Sequence, residues 1–308
     1  MPSGNNSTSR NPNCRVCGSS GSSLRFTVRQ TKLYHCRACG SAFAIPPATL
    51  QTSHQKADHF ETVDLERYYR SVKQAREASY IDLAQRLQKI SASGTWLDVG
   101  CSYGWLMQFM NQKGFRCEGI EPSRDAAQQA LQSGLIVHQG LFPEAVPAGK
   151  TFDILSFMDV LEHLESPREA LLSAKQAVSP DGLLLIQVPD QACFLYRIAE
   201  LLNRFSFGKL DFALRRLWLM DFDFPHLSYF TPASLQRLLS ETGWSTVEIW
   251  RSPLGSPSDS LDRVSYAKQS GLSQFSNRVV ALGVSGLQWT DTFCGHGGLV
   301  SVIARRIT

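Results

Sequence analysis

The middle of the chain alternates between two hydrophobic periods. Short runs rich in apolar residues recur at Trp96–Val99, Phe115–Ile120, Ile136–Val137, Phe152–Met158 and Leu183–Val188, most of them closed by a glycine, proline or acid. Runs of this length read as strands, and strands apolar on both faces belong to a parallel sheet covered by helices. Between them apolar residues fall three or four apart. Pro122-Ser123 opens a helix to Gln132 that Gly134 stops. Ser166-Pro167-Arg168-Glu169 reads as an N-cap, a first-turn proline and a capping-box acid for a helix to about Val178. Pro180-Asp181-Gly182 predicts a turn into the strand at Leu183. The alternation predicts a doubly wound α/β domain.

The flanks carry other patterns. Leu65, Tyr68, Tyr69, Val72, Tyr80, Ile81, Leu83, Ala84 and Leu87 have helical spacing, after a linker around Pro46-Pro47. Residues 191–225 predict a helical insertion, with Phe194, Leu195, Ile198, Leu201, Leu202 and Phe205, then Leu210, Leu214, Leu217 and Trp218. Arg197, Arg204, Lys209, Arg215 and Arg216 lie between these apolar positions. Thr231-Pro232 starts a helix through Leu239 that Gly243 ends, and the last strands are predicted at Val247–Trp250 and Leu299–Arg305. Residues 252–277 form a Ser/Pro/Gly-rich excursion. At the front, Leu24, Phe26 and Val28, then Leu33 and Tyr34, predict a hairpin. No apolar run is long enough to span a bilayer.

Candidate chemistry falls in two places. The first is Asp98-Val99-Gly100-Cys101-Ser102-Tyr103-Gly104, where a strand ends in an acid and a glycine-punctuated turn opens a helix. Such a turn lets backbone N–H groups approach a ligand, and its spacing differs from the G-x-G-x-x-G of dinucleotide enzymes. A second acid, Glu121, ends the next strand, where it is placed to accept ribose hydroxyls at the carboxyl edge of the sheet. The second place is Cys14-x2-Cys17 and Cys36-x2-Cys39, each pair followed by a glycine, the spacing of a four-thiolate Zn2+ site. No hydrophobic leader precedes these cysteines, which favours metal over disulfides and a cytoplasmic location.

Charge sharpens the division. The chain has 308 residues and a net charge of +4, yet residues 1–57 hold seven Lys or Arg and no acid, leaving 24 basic against 27 acidic residues in the rest. A basic ribbon suits nucleic-acid phosphates, an acidic face of its own enzyme or a phosphorylated substrate, and the sequence leaves the three open. The boundaries read as a disordered tail over 1–12, a zinc ribbon over 13–45, a linker and capping helices over 46–90, and the α/β domain over 91–308.

Taken together, the Asp98–Gly104 turn, Glu121, the run Asp159-Val160-Leu161-Glu162-His163 and the Pro180-x-Gly182 turn resemble class I (Rossmann-like) S-adenosylmethionine (SAM) methyltransferases. With the four-Cys ribbon in front, the chain is similar to bacterial enzymes that methylate sugars and natural products. The resemblance implies a seven-stranded Rossmann-like sheet. It implies SAM contacts from Asp98, Gly100, Cys101, Gly104, Glu121, Pro122, Leu141, Phe142 and Met158. Leu141 stands where many relatives carry an Asp or Asn for the adenine amine, so that polar contact is in doubt. The helices before Ile90 would cap the cofactor, with Tyr68 and Tyr69 expected to pack and, as the alternative, to close over it; the insertion over 191–225 would form a lid or else a helical pair that packs on the core or a dimer mate.

His226, in the His226-Leu227-x-x-Phe230-Thr231 segment, is the first candidate for general base, followed by His163, Tyr229 and Glu162. The expected acceptor is a hydroxyl or amine of a small metabolite or glycan. The alternative is RNA gripped by the basic ribbon, and transient contact of the insertion with a membrane is a further expectation.

Overall fold

The computed structural model describes residues 11–47, 65–220, 222, 224–253, 286, 290 and 297–307. The expected excursion over 252–277 and the tail before Asn11 lie outside them, apart from the excursion's first two residues; so do the side chains of Tyr68 and Tyr69. Strands β4 (Gly94–Val99), β5 (Phe115–Glu121), β6 (Ile136–Gln139), β7 (Phe152–Met158), β8 (Val178–Pro189), β10 (Trp244–Ser252) and β11 (Leu299–Arg306) form one seven-stranded sheet in the order β10-β11-β8-β7-β4-β5-β6. All neighbours from β8 to β6 are parallel, and β11 alone runs against the rest. Helices α2 (Trp105–Asn111), α3 (Arg124–Gln132), α4 (Pro167–Ala177) and α7 (Pro232–Glu241) connect the strands, and α1 (Leu65–Gln88) precedes them. No helix among the described residues is long and apolar enough to cross a membrane.

Two local expectations are revised. β8 runs unbroken from Val178, because a bulge absorbs Pro180–Gly182: Phe152 pairs with Val178 and Ile154 with Leu183. Ser166 is the N-cap of α4, but its side chain makes no capping bond. The reciprocal capping box is at α7, where Thr231 and Ser234 each accept the other's backbone N–H.

The four cysteines sit on a second sheet of β1 (Ser22–Val28), β2 (Thr31–Cys36), β3 (Ala42–Ile45) and β9 (Ser228–Tyr229), in that order. β9 comes from far along the chain: Ala42 pairs with Tyr229 and Phe43 with Ser228, antiparallel. One face of this sheet joins the main core, with Tyr34 and Phe43 in the same apolar cluster as Phe157, Leu171 and Leu235. The other face, through Val28, Leu33 and Ala44, meets Tyr196 and Ala199 of α5 (Phe194–Phe205) and Leu214 of α6 (Phe212–Leu217). The predicted insertion thus packs one side on the ribbon and exposes Phe205 and Phe207.

Because ribbon and sheet share one core, damage to the first unfolds the second. Phe43→Ala deletes a fully buried ring stacked on Tyr34. It is expected to cost about 3–5 kcal/mol, and thermal unfolding should remain a single, lower transition. Two separated transitions in calorimetry would contradict a shared core.

Candidate active site

The cradle begins with a polar chain inside the sheet. Trp96 and Asp98 lie on β4, and Ser156 is the in-register partner of Asp98 on β7. The Trp96 indole donates to Ser156 Oγ at 2.7 Å, and Ser156 donates to Asp98 Oδ1 at 2.5 Å. Asp98 is 3% exposed. Burial pushes its carboxyl up to about 7; the Ser156 hydrogen bond opposes the shift and the nearby Glu121 adds to it.

After Val99 the backbone turns through left-handed φ values of 72°, 50° and 72° at Gly100, Ser102 and Gly104. Side chains have no room here. A Cβ on Gly100 would meet Val160 at 2.5 Å, and one on Gly104 would meet Leu135 at 2.2 Å. Glu121, at the end of β5, accepts from the Ser102 N–H and the Ser123 N–H, each at 2.8 Å. Those bonds leave lone pairs on both oxygens for a ligand's hydroxyls. Cys101 is buried, and burial, then Asp98 and Glu121, pushes its thiol far above the normal range, which favours the protonated form.

The remaining expected cofactor residues lie at the end of β7 and just after β5 and β6. Pro122 is exposed directly after Glu121, and Leu141 is exposed. Phe142 packs edge-on against Phe157, with centroids 5.4 Å apart. Met158 is half-buried at the end of β7.

Beyond β7 a single 3₁₀ turn (Leu161–His163) carries Glu162 and His163. His226 reaches them from the segment before β9, with ring centroids of His163 and His226 4.7 Å apart and His226 Nε2 4.0 Å from Glu162 Oε1. Glu162 is 1% exposed, and neither of its oxygens has a hydrogen-bond partner. Burial, then the nearby Asp159, raises its carboxyl well above the normal range. Burial, then His163, holds the His226 imidazole well below its own. His163 Nδ1 lies 3.1 Å from the Pro225 carbonyl. Tyr229 touches His226 with its ring, but its hydroxyl donates to the Leu217 carbonyl at 2.8 Å within the ribbon-side core. The structure brings Glu162, His163 and His226 together and turns the Tyr229 hydroxyl elsewhere.

Sequence reasoning missed Arg76. It is buried on α1, and its Nε lies 2.6 Å from Asp159 Oδ2, while Nη1 has no hydrogen-bond partner. Its signal was available, because Val72, Arg76 and Tyr80 share one helix face and a cation interrupts it. Gln187 on β8 was missed too: it accepts from Ser79 of α1 at 2.5 Å and donates to Asp159 at 3.4 Å, tying the helix across the strand ends.

At the ribbon, the Sγ pairs Cys14–Cys39 and Cys17–Cys36 are 3.8 and 3.6 Å apart, and all four ligand atoms lie within 4.8 Å of one another. A tetrahedral Zn2+ with bonds of about 2.3 Å sets sulfurs about 3.8 Å apart, so the donor set fits that ion.

A glycine cradle between two strand-end acids, on a sheet wound outward from β4 in both directions, defines the fold of class I, SAM-dependent methyltransferases. The chain belongs to the methyltransferase-domain family, whose model matches residues 69–249. Among curated proteins it is similar to the ubiquinone biosynthesis O-methyltransferases of Haemophilus ducreyi (33% identical over 113 residues, 33% of this chain and 48% of that protein) and Citrobacter koseri (28% over 149 residues, 44% and 61%). The matched stretch thus spans about half the length of those relatives. Among solved structures it resembles the plantazolicin methyltransferase BpumL in complex with a monoazolic desmethylPZN analog and SAH (TM-score 0.53, 16% identity, 85% of this chain and 95% of that one). A SAM-dependent methyltransferase from Archaeoglobus fulgidus gives a TM-score of 0.52 at 16% identity, covering 79% of this chain and 100% of that one.

The cradle opposes stability. Folded Asp98 keeps its proton to about pH 7, whereas the unfolded chain loses it near the normal value of 3.8. Between those values the unfolded state binds fewer protons, so this residue's contribution to stability falls as pH rises, by on the order of a few kcal/mol. Asp98→Asn should raise the melting temperature by several degrees at pH 8, with the gain shrinking as the pH is lowered to 5. A lower melting temperature at pH 8 would contradict this.

Proposed function

We propose that the protein transfers the SAM methyl group to an oxygen, or second a nitrogen, of a small metabolite or glycan. The observation that carries the reading is the Glu121 carboxylate, held by two backbone N–H groups at the mouth of the glycine turn. In this reading Glu121 binds the ribose hydroxyls and Asp98 orients the methionine end. Arg76, whose Nη1 has no hydrogen-bond partner, would hold the cofactor's carboxylate. Bound SAM supplies an electrophilic methyl on a sulfonium, and the protein's task is alignment and removal of the acceptor's proton.

Glu162, His163 and His226 form the polar end of the acceptor pocket, at the carboxyl edge of β7 next to the cradle. The names of the curated relatives favour an oxygen acceptor. The ribbon is read as a structural Zn2+ module, on the fit of its four sulfurs. Its third strand pairs with β9, and Arg15 and Arg237 are engaged with the Glu165 and Ala38 carbonyls across the contact. These contacts support a role in shaping the pocket over one in gripping RNA.

Two measurements test the reading. Glu121→Ala removes two charge-assisted contacts and should weaken SAM binding by at least about 100-fold in calorimetry. Unchanged affinity would remove the cofactor assignment. Labelled SAM incubated with the full chain and a cell extract should mark the small-molecule or glycan fraction; label confined to a nuclease-sensitive fraction would replace that acceptor with RNA.

A further inference from the structure

We propose that Arg15, in the first cysteine knuckle, is a positioning residue for the acceptor: its guanidinium sets where the turn bearing Glu162 stands relative to His226. This rests on the methyl-transfer reading and adds to its pocket a residue that touches neither substrate nor cofactor.

The guanidinium holds two segments at once. Arg15 Nε donates to the Ala44 carbonyl at 3.2 Å, and Nη1 donates to the Glu165 carbonyl at 2.9 Å. Ala44 belongs to β3 of the ribbon, and Glu165 follows the 3₁₀ turn that carries Glu162 and His163.

Those two bonds close a ring. The Ala44 N–H donates to the Leu227 carbonyl at 2.9 Å, and the Leu227 N–H donates to the Glu162 carbonyl at 2.7 Å. From Glu162 the chain runs through His163 and Leu164 to Glu165, and so back to Arg15. His226 precedes Leu227, and its own N–H is held by the Trp218 carbonyl at 3.0 Å. Glu162 and His226 therefore stand on opposite arms of the ring. The bonds among Ala44, Leu227 and Glu162 are backbone to backbone, and Arg15 supplies the one side chain.

The arginine also starts from a fixed place. The Gly18 N–H donates to the Cys14 carbonyl and the Cys14 N–H to the Ser19 carbonyl, each at 2.8 Å. Val16, its neighbour, is fully buried in the main core. The same loop carries Cys14 and Cys17, two of the four sulfurs that fit Zn2+.

The cofactor cradle lies outside the ring. Glu121 is held by the Ser102 and Ser123 amides and Asp98 by Ser156, with no ribbon atom among these partners. The second knuckle is pinned differently. Arg237 of α7 donates to the Ala38 carbonyl at 2.8 Å and pairs with Glu241 at 2.7 Å on the exposed surface, away from the acceptor turn. If the ribbon only docks on the domain, the two arginines weigh alike; if it positions the acceptor, Arg15 weighs far more.

The test uses the full chain purified with zinc and three variants. Arg15→Lys keeps the charge but places it on a single nitrogen, without the rigid fork. Arg15→Met keeps the length and removes every donor, and Arg237→Lys perturbs the docking contact elsewhere. Zinc content and SAM affinity, by calorimetry, are expected to match the wild type in all three. Methyl transfer from labelled SAM is then followed against a dilution series of the nuclease-treated small-molecule and glycan fraction of a cell extract. The relative kcat/KM for this fraction should fall about 100-fold in Arg15→Met and about ten-fold in Arg15→Lys, with the KM for SAM unchanged. Arg237→Lys, at an exposed contact, should lose less than about two-fold. In heteronuclear NMR the His226 ring signals should shift in both Arg15 variants, while those of His138, on the edge strand β6, stay in place. Unchanged kcat/KM in Arg15→Met, an equal loss in Arg237→Lys, or a parallel loss of SAM affinity would each overturn the proposal. A wild type that binds SAM but labels nothing in this fraction would end the acceptor reading beneath it. The His226 signals then decide alone, and signals unmoved in Arg15→Met would end this inference as well.

Discussion

The backbone of Leu227 joins the two halves of the molecule. Its N–H donates to the Glu162 carbonyl at 2.7 Å, and its carbonyl accepts the Ala44 N–H at 2.9 Å. One residue therefore links the turn after β7 to the edge of the cysteine-bearing sheet. His226 precedes this link and β9 follows it, so the register of β3 against β9 fixes how far the imidazole reaches toward Glu162. The flanking walls are large and rigid: Trp218 and Tyr229 meet at a tilt on the insertion side, with centroids 4.8 Å apart, and Phe43 and Phe230 are fully buried. Close-packed surroundings of this kind leave few alternative positions for the histidine.

The carboxyl edge of the sheet gathers what the core excludes. Asp98, Glu121, Asp159, Glu162, Arg76 and Gln187 lie at or over the ends of neighbouring strands, most of them buried. Some are satisfied inside the protein, as Asp98 is by Ser156 and Glu121 by two amides. Others are not: Glu162 and part of Arg76 lack partners. Groups kept buried and incomplete lower stability, and sites of function are where natural proteins tolerate that loss. The strain at Asp159, a non-glycine residue at φ 60°, falls in the same place.

How far the sequence exposed all this depends on distance along the chain. The Asp98–Gly104 turn and Glu121 are local patterns, each readable from one strand end, and the two C-x2-C pairs have a spacing few other chemistries need. The strands came from apolar runs and the helices from their caps and periods. What escaped was non-local. β9 is two residues long and has no strand signature, since its pairing is dictated by the edge of β3 rather than by its own composition. The meeting of His226 with Glu162 follows from that pairing and could not be seen before it. Tyr229 looked like a partner for the histidines because it stands beside them in sequence; the alternation of a strand sends its hydroxyl to Leu217 instead. Arg76 was legible as a cation on an apolar helix face, but only the fold shows Asp159 opposite it.

The β3–β9 pairing also sets an order of events on the ribosome. The cysteines leave the tunnel before the strands of the larger sheet, and three of the four strands of their own sheet can form at once, since β1, β2 and β3 are consecutive. The fourth strand is not made until residues 46–227 have been added. Throughout that interval β3 presents an unpaired edge carrying Phe43, the kind of edge that invites pairing with another chain. A domain whose cysteine-bearing sheet is finished only by β9 gains its pocket late, and exposes its most adhesive strand early.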